Sequence, residues 1–445
     1  MEHGKRVLII TYYWPPSGGS GVQRWLKFVK YLVDLGWKPV IYTPQNPEFP
    51  SIDESLLSNV PKEVEIIRTS IWEPYSIYKR VIGQDKNEGI NAGFITTDEK
   101  PGKLEHLSRW IRGNFFIPDA RKFWIRPSIK FLTNYLKQHP VDLMISTGPP
   151  HSMHLIAHGV KKNLNTPWIA DFRDPWTQID FYDDLLLTKR ADNKHHRLEK
   201  RVLSDADHVL VVGEVMKEAM SQLADTRAMT AIPNGFDSAD YTSQQSLKPD
   251  EQFTIAHIGS FTSSRNPSML WKVLADKCRN DDNFKRDLRI KAIGKTDISI
   301  VKELESLGLG EQLERVDYLP HDEVIQQQLR AQVLLLVVNR TSNQKMILTG
   351  KIFEYLNSGR PILAIGPVDG ELSHLLRSCG IPAAFDYEDE VAIRQMVDQL
   401  YTAFCTDTPP TPVQHLDRFT RQNLTQQLSA IMEEVVGNHS HSDRR

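Results

Sequence analysis

The stretch Thr349–Pro361, TGKIFEYLNSGRP, follows the apolar run VLLLVV at Val333–Val338 and runs into a second one, PILAIG, starting at Pro361. Two short apolar runs with a helical segment between them read as strand, crossover helix and parallel strand, the repeating unit of a doubly wound α/β sheet. Gly359 stops the helix and Pro361 opens the next strand. In such sheets ligands bind where strand C-termini meet helix N-termini. Here that edge carries Thr349, Gly350 and Lys351, with Glu354 one turn further in. Free backbone N–H groups and the positive end of the helix dipole suit a phosphate, and a carboxylate at Glu354 suits sugar hydroxyls. The same spacing also allows a plain exposed salt bridge between Lys351 and Glu354 on an amphipathic helix. The stretch alone leaves both readings open.

The same alternation extends in both directions. Strands are expected near Val7–Tyr12, Pro39–Thr43, Val64–Arg68, Asp142–Thr147, Trp168–Asp171, His208–Val212 and Thr230–Ile232. A second series follows at Phe253–Ile258, Leu288–Ile293, Leu313–Tyr318, Val333–Val338, Pro361–Ile365 and Ala383–Phe385. Each series reads as its own Rossmann-like layer, and the turn signal Asn234-Gly235 places the boundary beside Phe236. The expected organisation is a first domain over 1–235, a second over 236–415, a closing helix over 416–436 after the Pro-rich TDTPPTPVQ, and a disordered tail over 437–445. Residues 71–126 interrupt the first series as an insertion. It includes RWIRGNFFIPDARKFWIRP, where Trp110, Phe115, Phe116, Phe123 and Trp124 interleave with Arg109, Arg112, Arg121, Lys122 and Arg126. Cations among large rings suit contact with a membrane interface through 109–126. Packing of those rings on the first domain is the alternative, since Pro118 and Pro127 leave no clean helical period.

Composition bounds the possibilities. A chain of 445 residues exceeds what one core usually supports, which agrees with two domains. A formal net charge of −2 gives no field for nucleic acid. Cys278, Cys379 and Cys405 lie far apart without metal-ligand spacing, so neither a disulfide framework nor a zinc site is suggested. MEHGKR leads into VLIITYY, too short an apolar run for a signal peptide, and no segment approaches the roughly 20 apolar residues that span a bilayer. The expected location is the cytoplasm, with the inner membrane face reached peripherally through 109–126.

Three further constellations carry chemistry. Gly18, Gly19 and Gly21 lie between the first strand and a helix with Val22, Leu26, Val29 and Val33 on one face, and let the backbone pass close to a ligand or form a simple surface turn. Their spacing is not the dinucleotide fingerprint, and Thr43, Pro44 and Gln45 stand where a ribose-binding acid would be expected, which weakens a dehydrogenase reading. The unit FTIAHIGSFTSSRNPSML puts Arg265 just before a helix, ready to meet a diphosphate, while Ser264 or Asn266 with Pro267 also fits a plain helix start. In PWIADFRDPW, Asp171, Arg173 and Asp174 sit at a strand end, where they either work on an acceptor or pair to hold a turn. Just upstream, His151, His154 and His158 share a helical face. No HExxH pattern or carboxylate accompanies them, so an acceptor-side or helix-face role is expected rather than a metal site. His195, His196 and Glu199 read as a solvated helix face.

Taken in order, SGGSGVQR, ADFRDPW, IPNGFD, HIGSFTSSRNP and TGKIFEYLNSGRPIL resemble the retaining glycosyltransferases of family four over nearly the whole chain, with a bacterial surface-polysaccharide subgroup nearest. The resemblance implies the α/β GT-B fold, with two facing Rossmann-like domains on parallel sheets and a C-terminal helix returning to the first domain. It implies transfer of a sugar from a nucleotide-diphosphate donor to a hydroxyl of a glycan or lipid-linked acceptor, with no cofactor and no metal. By that resemblance Gly18 to Gly21 approach a phosphate and Arg265 replaces the family's phosphate-binding Lys. Thr349, Gly350 and Lys351 present helix N-terminal donors to the diphosphate, and Glu354 matches the family Glu that binds the ribose. Apart from the resemblance, His151, Asp171, Arg173 and Asp174 are the candidate catalytic residues. Two positions depart from the pattern: Ser260 stands where the family has an Arg, and Met346 replaces the first Glu of its paired-Glu motif. A nucleotide-sugar 2-epimerase of related fold and a non-catalytic nucleotide-sugar-binding protein are the alternatives.

Overall fold

The computed structural model describes residues 4–49, 51–73, 103–241 and 247–442. The chain forms two compact units, one comprising Met1–Pro233 and Arg421–Arg445, the other Asn234–Thr420. The division falls at Asn234-Gly235, where Gly235 adopts φ 67°, the left-handed region that costs glycine least.

The first unit is built on a seven-stranded sheet: β1 (Arg6–Ile10), β2 (Lys38–Pro44), β3 (Glu65–Thr69), β4 (Leu143–Gly148), β5 (Trp168–Phe172), β6 (His208–Val211) and β7 (Met229–Ala231), in the order β3-β2-β1-β4-β5-β6-β7. Every pairing is parallel, with Val7 of β1 in register with Pro39 on one side and Leu143 on the other. Strands buried on both faces read as continuous apolar runs, which is why VLII and LMIS were legible. One face is covered by the helix Ser20–Asp34 through Val22, Trp25, Leu26, Val29 and Leu32. The C-terminal helix Arg421–Ser442 adds Leu424, Leu428, Met432 and Val435 to the same core, and Trp37 Nε1 donates to Ser429 Oγ at 2.9 Å. The last helix therefore returns to the first unit. It also continues past the expected end, so residues 437–442 of the anticipated tail are helical, and 443–445 lie outside the described residues.

The second unit holds β8 (Phe253–Ile258), β9 (Leu288–Ile293), β10 (Leu313–Val316), β11 (Val333–Val337) and β12 (Ile362–Ile365), all parallel in the order β10-β9-β8-β11-β12. Apolar clusters cover both sheet faces: Trp271, Leu274, Phe284 and Val397 belong to one, Ile352, Phe353, Leu356 and Leu376 to the other. The expected strand at Ala383–Phe385 reduces to a single parallel bridge from Phe385 to Ile365. Pro382 just ahead of it has no N–H to extend the ladder.

The expected insertion over 71–126 resolves differently from its reading. Residues 74–102 lie outside the described residues, but the rest forms two helices, Lys103–Phe115 and Lys122–Gln138. Pro118 falls in the link between them, and Pro127 sits in the second turn of the longer helix, where it removes one hydrogen bond without ending it. The sequence pattern missed this because the two short periods are out of phase.

Both sheets change winding direction once, at β1/β4 in the first unit and at β8/β11 in the second. Ligands in open α/β sheets bind at such a switch point, outside the strand C-termini. The glycine loop, His151 and Arg173 belong to the first of these edges, and Gly259–Arg265 and Asn339–Lys351 to the second.

Candidate active site

At the second unit's edge, the chain leaves β8 through Gly259, whose φ of 104° is a conformation that side-chain-bearing residues rarely adopt. The space a Cβ would fill there is taken by the Lys351 ammonium. Lys351 opens the helix Lys351–Ser358, where Ile352 N and Phe353 N bond the carbonyls of Thr349 and Gly350 at 3.2 and 3.4 Å. Gly359 closes that helix at φ 66°, as read from the sequence. Arg265 lies in the loop after β8, donating from Nη1 to the Ser260 carbonyl at 3.0 Å and from Nε to Asn339 Oδ1. Arg340 N bonds Ser264 O at 2.9 Å, which ties the loops after β8 and β11 together.

Loss of water and the neighbouring Arg265 guanidinium push the Lys351 ammonium down to about 7, against the opposing pull of Glu354. His257, buried at the end of β8 and stacked on Phe261 with centroids 3.9 Å apart, is held neutral by burial and by the same two cations. The Thr349 hydroxyl is buried with no hydrogen-bond partner among the described residues. Two cations, a buried hydroxyl and a helix start around a glycine backbone have the chemistry to suit a dianionic group. Sequence reasoning named Lys351, Arg265, Thr349 and Gly350 but missed His257, whose one signal was a lone histidine inside an apolar strand.

Glu354 is half-buried one turn into the helix, and its Oε2 accepts from Gln328 Nε2 at 2.8 Å. No ion pair links it to Lys351 among the described residues, so the plain salt-bridge reading does not hold. Ser260 contributes its carbonyl to Arg265, and Met346 lies half-buried at the end of a short 3-10 turn, Gln344–Met346.

The first unit's edge is arranged otherwise. Asp171, at the end of β5, is fully buried and saturated: Arg24 Nη2 donates to Oδ1 at 2.9 Å, Trp25 Nε1 to Oδ2 at 2.7 Å and Thr147 Oγ1 to Oδ2 at 2.8 Å. Burial raises its pKa, but Arg24 and these donors outweigh that and hold it below the usual carboxylate value. Arg24 also donates from Nη1 to the carbonyls of Ile232 and Pro233 at 2.9 and 3.0 Å. Asp171 is thus an internal anchor between the first helix and two strand ends, and has no lone pair to spare for an acceptor.

The expected turn-holding pair of Arg173 and Asp174 is also absent among the described residues. Arg173 instead donates from Nη1 to Gly21 O at 2.6 Å and from Nη2 to Pro149 O. It ties the glycine loop after β1 to the loop after β4. A Cβ at Gly21 would stand 3.0 Å from both Arg173 Nη1 and Tyr13 Cδ2, and one at Gly18 would stand 2.7 Å from Ser51 Oγ. Gly18 and Gly21 therefore owe their lack of a side chain to protein neighbours. Gly19, at φ 87° with nothing closer than Ser51 Oγ at 4.0 Å, keeps open space around it. Asp174 is exposed at the sheet edge.

The three histidines diverge. His158 Nε2 bonds Asp205 Oδ2 at 2.7 Å, a structural link. His154 Nδ1 bonds Ser146 Oγ at 2.8 Å, and burial lowers its pKa to about 3. His151 stacks on Trp176 with centroids 4.7 Å apart, its Nδ1 buried without a hydrogen-bond partner among the described residues. Burial first, then His154, His195 and Arg173, keep it neutral. Among the described residues no group of three His, Cys, Asp or Glu is placed to hold a metal.

The reading of His195 and Glu199 as solvated is corrected: they are 3% and 1% exposed. Trp176 Nε1 donates to His195 Nδ1 at 3.0 Å, and Glu199 accepts from Thr177 Oγ1 at 2.5 Å. Both residues fall on the stripe Ala191, His195, Glu199, Val202, whose helical period was visible in the sequence but masked by the charges around it.

Residues 86–240 match the family model described as Glycosyltransferase Family 4. The chain is a glycosyltransferase. Its fold is shared with a glycosyltransferase from Rickettsia africae ESF-5, at 13% identity over 98% of this chain and 99% of that one, with a TM-score of 0.61. WaaG, a glycosyltransferase involved in lipopolysaccharide biosynthesis, superposes at TM-score 0.56 and 12% identity over 96% of this chain and 99% of its own. A putative UDP-N-acetylglucosamine 2-epimerase from Listeria monocytogenes gives 0.53 at 8% identity, covering 99% of this chain and 97% of that one. At these identities the likeness establishes the GT-B fold. Comparison of the sequence with curated proteins finds no match.

Proposed function

We propose that this glycosyltransferase moves a sugar from a nucleotide-diphosphate donor to an acceptor hydroxyl with retention of configuration, in the synthesis of a cell-surface glycan. The observation that carries the reading is the placement of two cations at one glycine turn, the Lys351 ammonium against Gly259 and Arg265 on the Ser260 carbonyl beside it. Bound there, the diphosphate accepts donors from Lys351, Arg265, Thr349 and the helix N-terminus. As the glycosidic bond breaks, the same groups stabilise the charge gathering on the leaving phosphate. The phosphate oxygen released from the sugar takes the acceptor hydroxyl proton, so no enzyme nucleophile is required. Glu354 receives the ribose hydroxyls. The acceptor, a glycan or lipid-linked glycan, is assigned to the first unit, where Asp174 and the neutral His151 are the polar groups available at the strand ends.

Binding of nucleotide sugars, measured by calorimetry, tests the assignment. Glu354→Ala and Arg265→Ala are each expected to weaken donor binding by about tenfold or more, the usual loss for a hydrogen bond to a charged group. Unchanged affinity in both variants sinks the donor site. Asp174→Ala is expected to leave donor affinity within about twofold and to lower turnover by about a hundredfold, as for loss of a positioned polar catalyst. Loss of donor affinity in that variant removes Asp174 from the acceptor side. Epimer formation without any acceptor would favour the epimerase chemistry, and binding without transfer to any acceptor would favour a non-catalytic protein.

The acceptor's class is supported by the surface of helix Lys103–Phe115. Leu107, Trp110, Ile111 and Phe115 are all exposed, at 53, 38, 39 and 58%, with Phe123 nearby at 42% and Lys122 stacked over its ring at 4.8 Å. Apolar side chains of this size on one helix beside cations suit a bilayer interface. Trp124, by contrast, is buried against Tyr42 with rings 4.9 Å apart, so only part of the 109–126 segment is available for such contact. No described helix is long and apolar enough to cross a membrane. Trp110→Ser with Phe115→Ser is expected to lower sedimentation with anionic phospholipid vesicles about tenfold, since each large side chain contributes on the order of 1.5–3 kcal/mol when fully buried. Equal sedimentation of variant and parent removes this surface from membrane contact.

A further inference from the structure

Gln328 is fully buried in the second unit, on the helix His321–Arg330, and both ends of its amide are committed. Its Oε1 accepts from the Tyr241 hydroxyl at 3.0 Å, and its Nε2 donates to Glu354 Oε2 at 2.8 Å. The Tyr241 hydroxyl lies 3.3 Å from the Glu354 carbonyl as well, so it is anchored to the backbone of the residue whose side chain it helps to place. Tyr241 itself is 7% exposed.

The order of these bonds fixes the amide. The Glu354 carboxylate only accepts, so it takes the amide NH2 and leaves the amide oxygen to the Tyr241 hydroxyl, whose single proton is shared between Gln328 Oε1 and the Glu354 carbonyl. One carboxylate oxygen of Glu354 is thereby held by a neutral donor. The other, Oε1, has no protein hydrogen-bond partner among the described residues. A carboxylate clamped on one oxygen presents the second in a single orientation and loses little rotamer freedom when a ligand arrives. A neutral amide also holds Glu354 without pairing with it as a cation would.

We infer that Gln328, oriented by Tyr241, is a positioning residue that aims Glu354 at the ribose diol of the donor and so sets the preference for ribonucleotide over 2′-deoxyribonucleotide. The inference rests on the donor site proposed above. Its consequence is a specificity that truncating the relay erodes in a particular way. Affinity for the ribonucleotide falls, while affinity for the 2′-deoxy analogue, which cannot use the full clamp, changes little.

The test uses the full chain and calorimetry with UDP, ADP, GDP and CDP, followed by the 2′-deoxy counterpart of whichever binds best. Parent protein is expected to prefer the ribonucleotide about tenfold, the discrimination of a site built to bond a hydroxyl. Gln328→Met, close in volume and unable to donate, is expected to bring that ratio near one. Tyr241→Phe, which retains packing if Gln328→Met misfolds, is expected to lower it about threefold, and neither change should add to Glu354→Ala in a double variant. Gln328→Glu provides a readout that a merely structural role would not move. A second carboxylate beside Glu354 cannot donate to it and repels it, so ribonucleotide affinity in that variant should fall to about that of the 2′-deoxy analogue. A ribo-to-deoxy ratio in folded Gln328→Met and Tyr241→Phe equal to the parent's overturns the inference while leaving the donor site standing. Failure of all four diphosphates to bind the parent overturns both.

Discussion

Between pH 7 and pH 9 the affinity of this glycosyltransferase for a nucleoside diphosphate is expected to fall by up to ~100-fold. Burial and the adjacent Arg265 lower the Lys351 ammonium to about 7, so the free protein loses this proton at the start of that range. A diphosphate, fully ionised there, pairs with the protonated form and raises the lysine pKa in the complex, so binding takes up a proton. For a group lowered in the free state and raised in the bound state, affinity is highest below the free-state pKa. It then declines by up to tenfold per pH unit until the bound-state pKa is reached. Lys351→Arg supplies the control, because guanidinium stays charged across the range and its profile should be flat. Calorimetry in two buffers of different ionisation enthalpy reads the proton uptake directly. A flat profile in the parent with no proton exchanged would show that Lys351 does not meet the phosphates.

The same residue shows what the sequence made legible. Lys351, Thr349 and Glu354 were singled out because a short helix between two apolar runs has one geometry, and its N-terminus must face the sheet edge. Most strands were legible from the same alternation. What the sequence could not display was partnership across the fold. Arg24 and Asp171 are separated by most of the first unit's chain, yet share one ion pair, with Arg24 Nη2 2.9 Å from Oδ1. Read locally, Asp171 paired naturally with its neighbours Arg173 and Asp174 and looked like acceptor chemistry. Gln328 was invisible for the same reason: a glutamine in an amphipathic helix has no signature until the side chains of Tyr241 and Glu354 are placed on either side of it. His195 and Glu199 failed differently. Their burial was written in the helical period, but charge was allowed to outweigh periodicity.

Asp171→Asn is accordingly expected to cost stability rather than chemistry, by about 3–5 kcal/mol, because it leaves the Arg24 guanidinium buried without its counter-charge. Arg24 is 1% exposed and Asp171 0%, so water cannot make good the loss. Thr147→Val, which removes one neutral donor from the same carboxylate, is expected to cost about 1–3 kcal/mol. The pH dependence has a definite sign. Asp171 is held below its unfolded value of about 3.9, so its stabilisation is fully present above that pH and disappears as pH falls through the folded-state pKa. The Asp171→Asn penalty should therefore be constant from pH 6 to 8 and shrink in acid. Urea unfolding followed by tryptophan fluorescence isolates the effect. Trp271 is the one tryptophan of Asn234–Thr420, and the other eight of the nine lie in the first unit, so the signal reports chiefly on that unit. Replacing the pair together, Arg24→Met with Asp171→Leu, should recover part of the loss, since no isolated charge then remains buried. If Asp171→Asn unfolds at the parent's urea concentration and differs only in turnover, the carboxylate serves the reaction and its role as an anchor is lost.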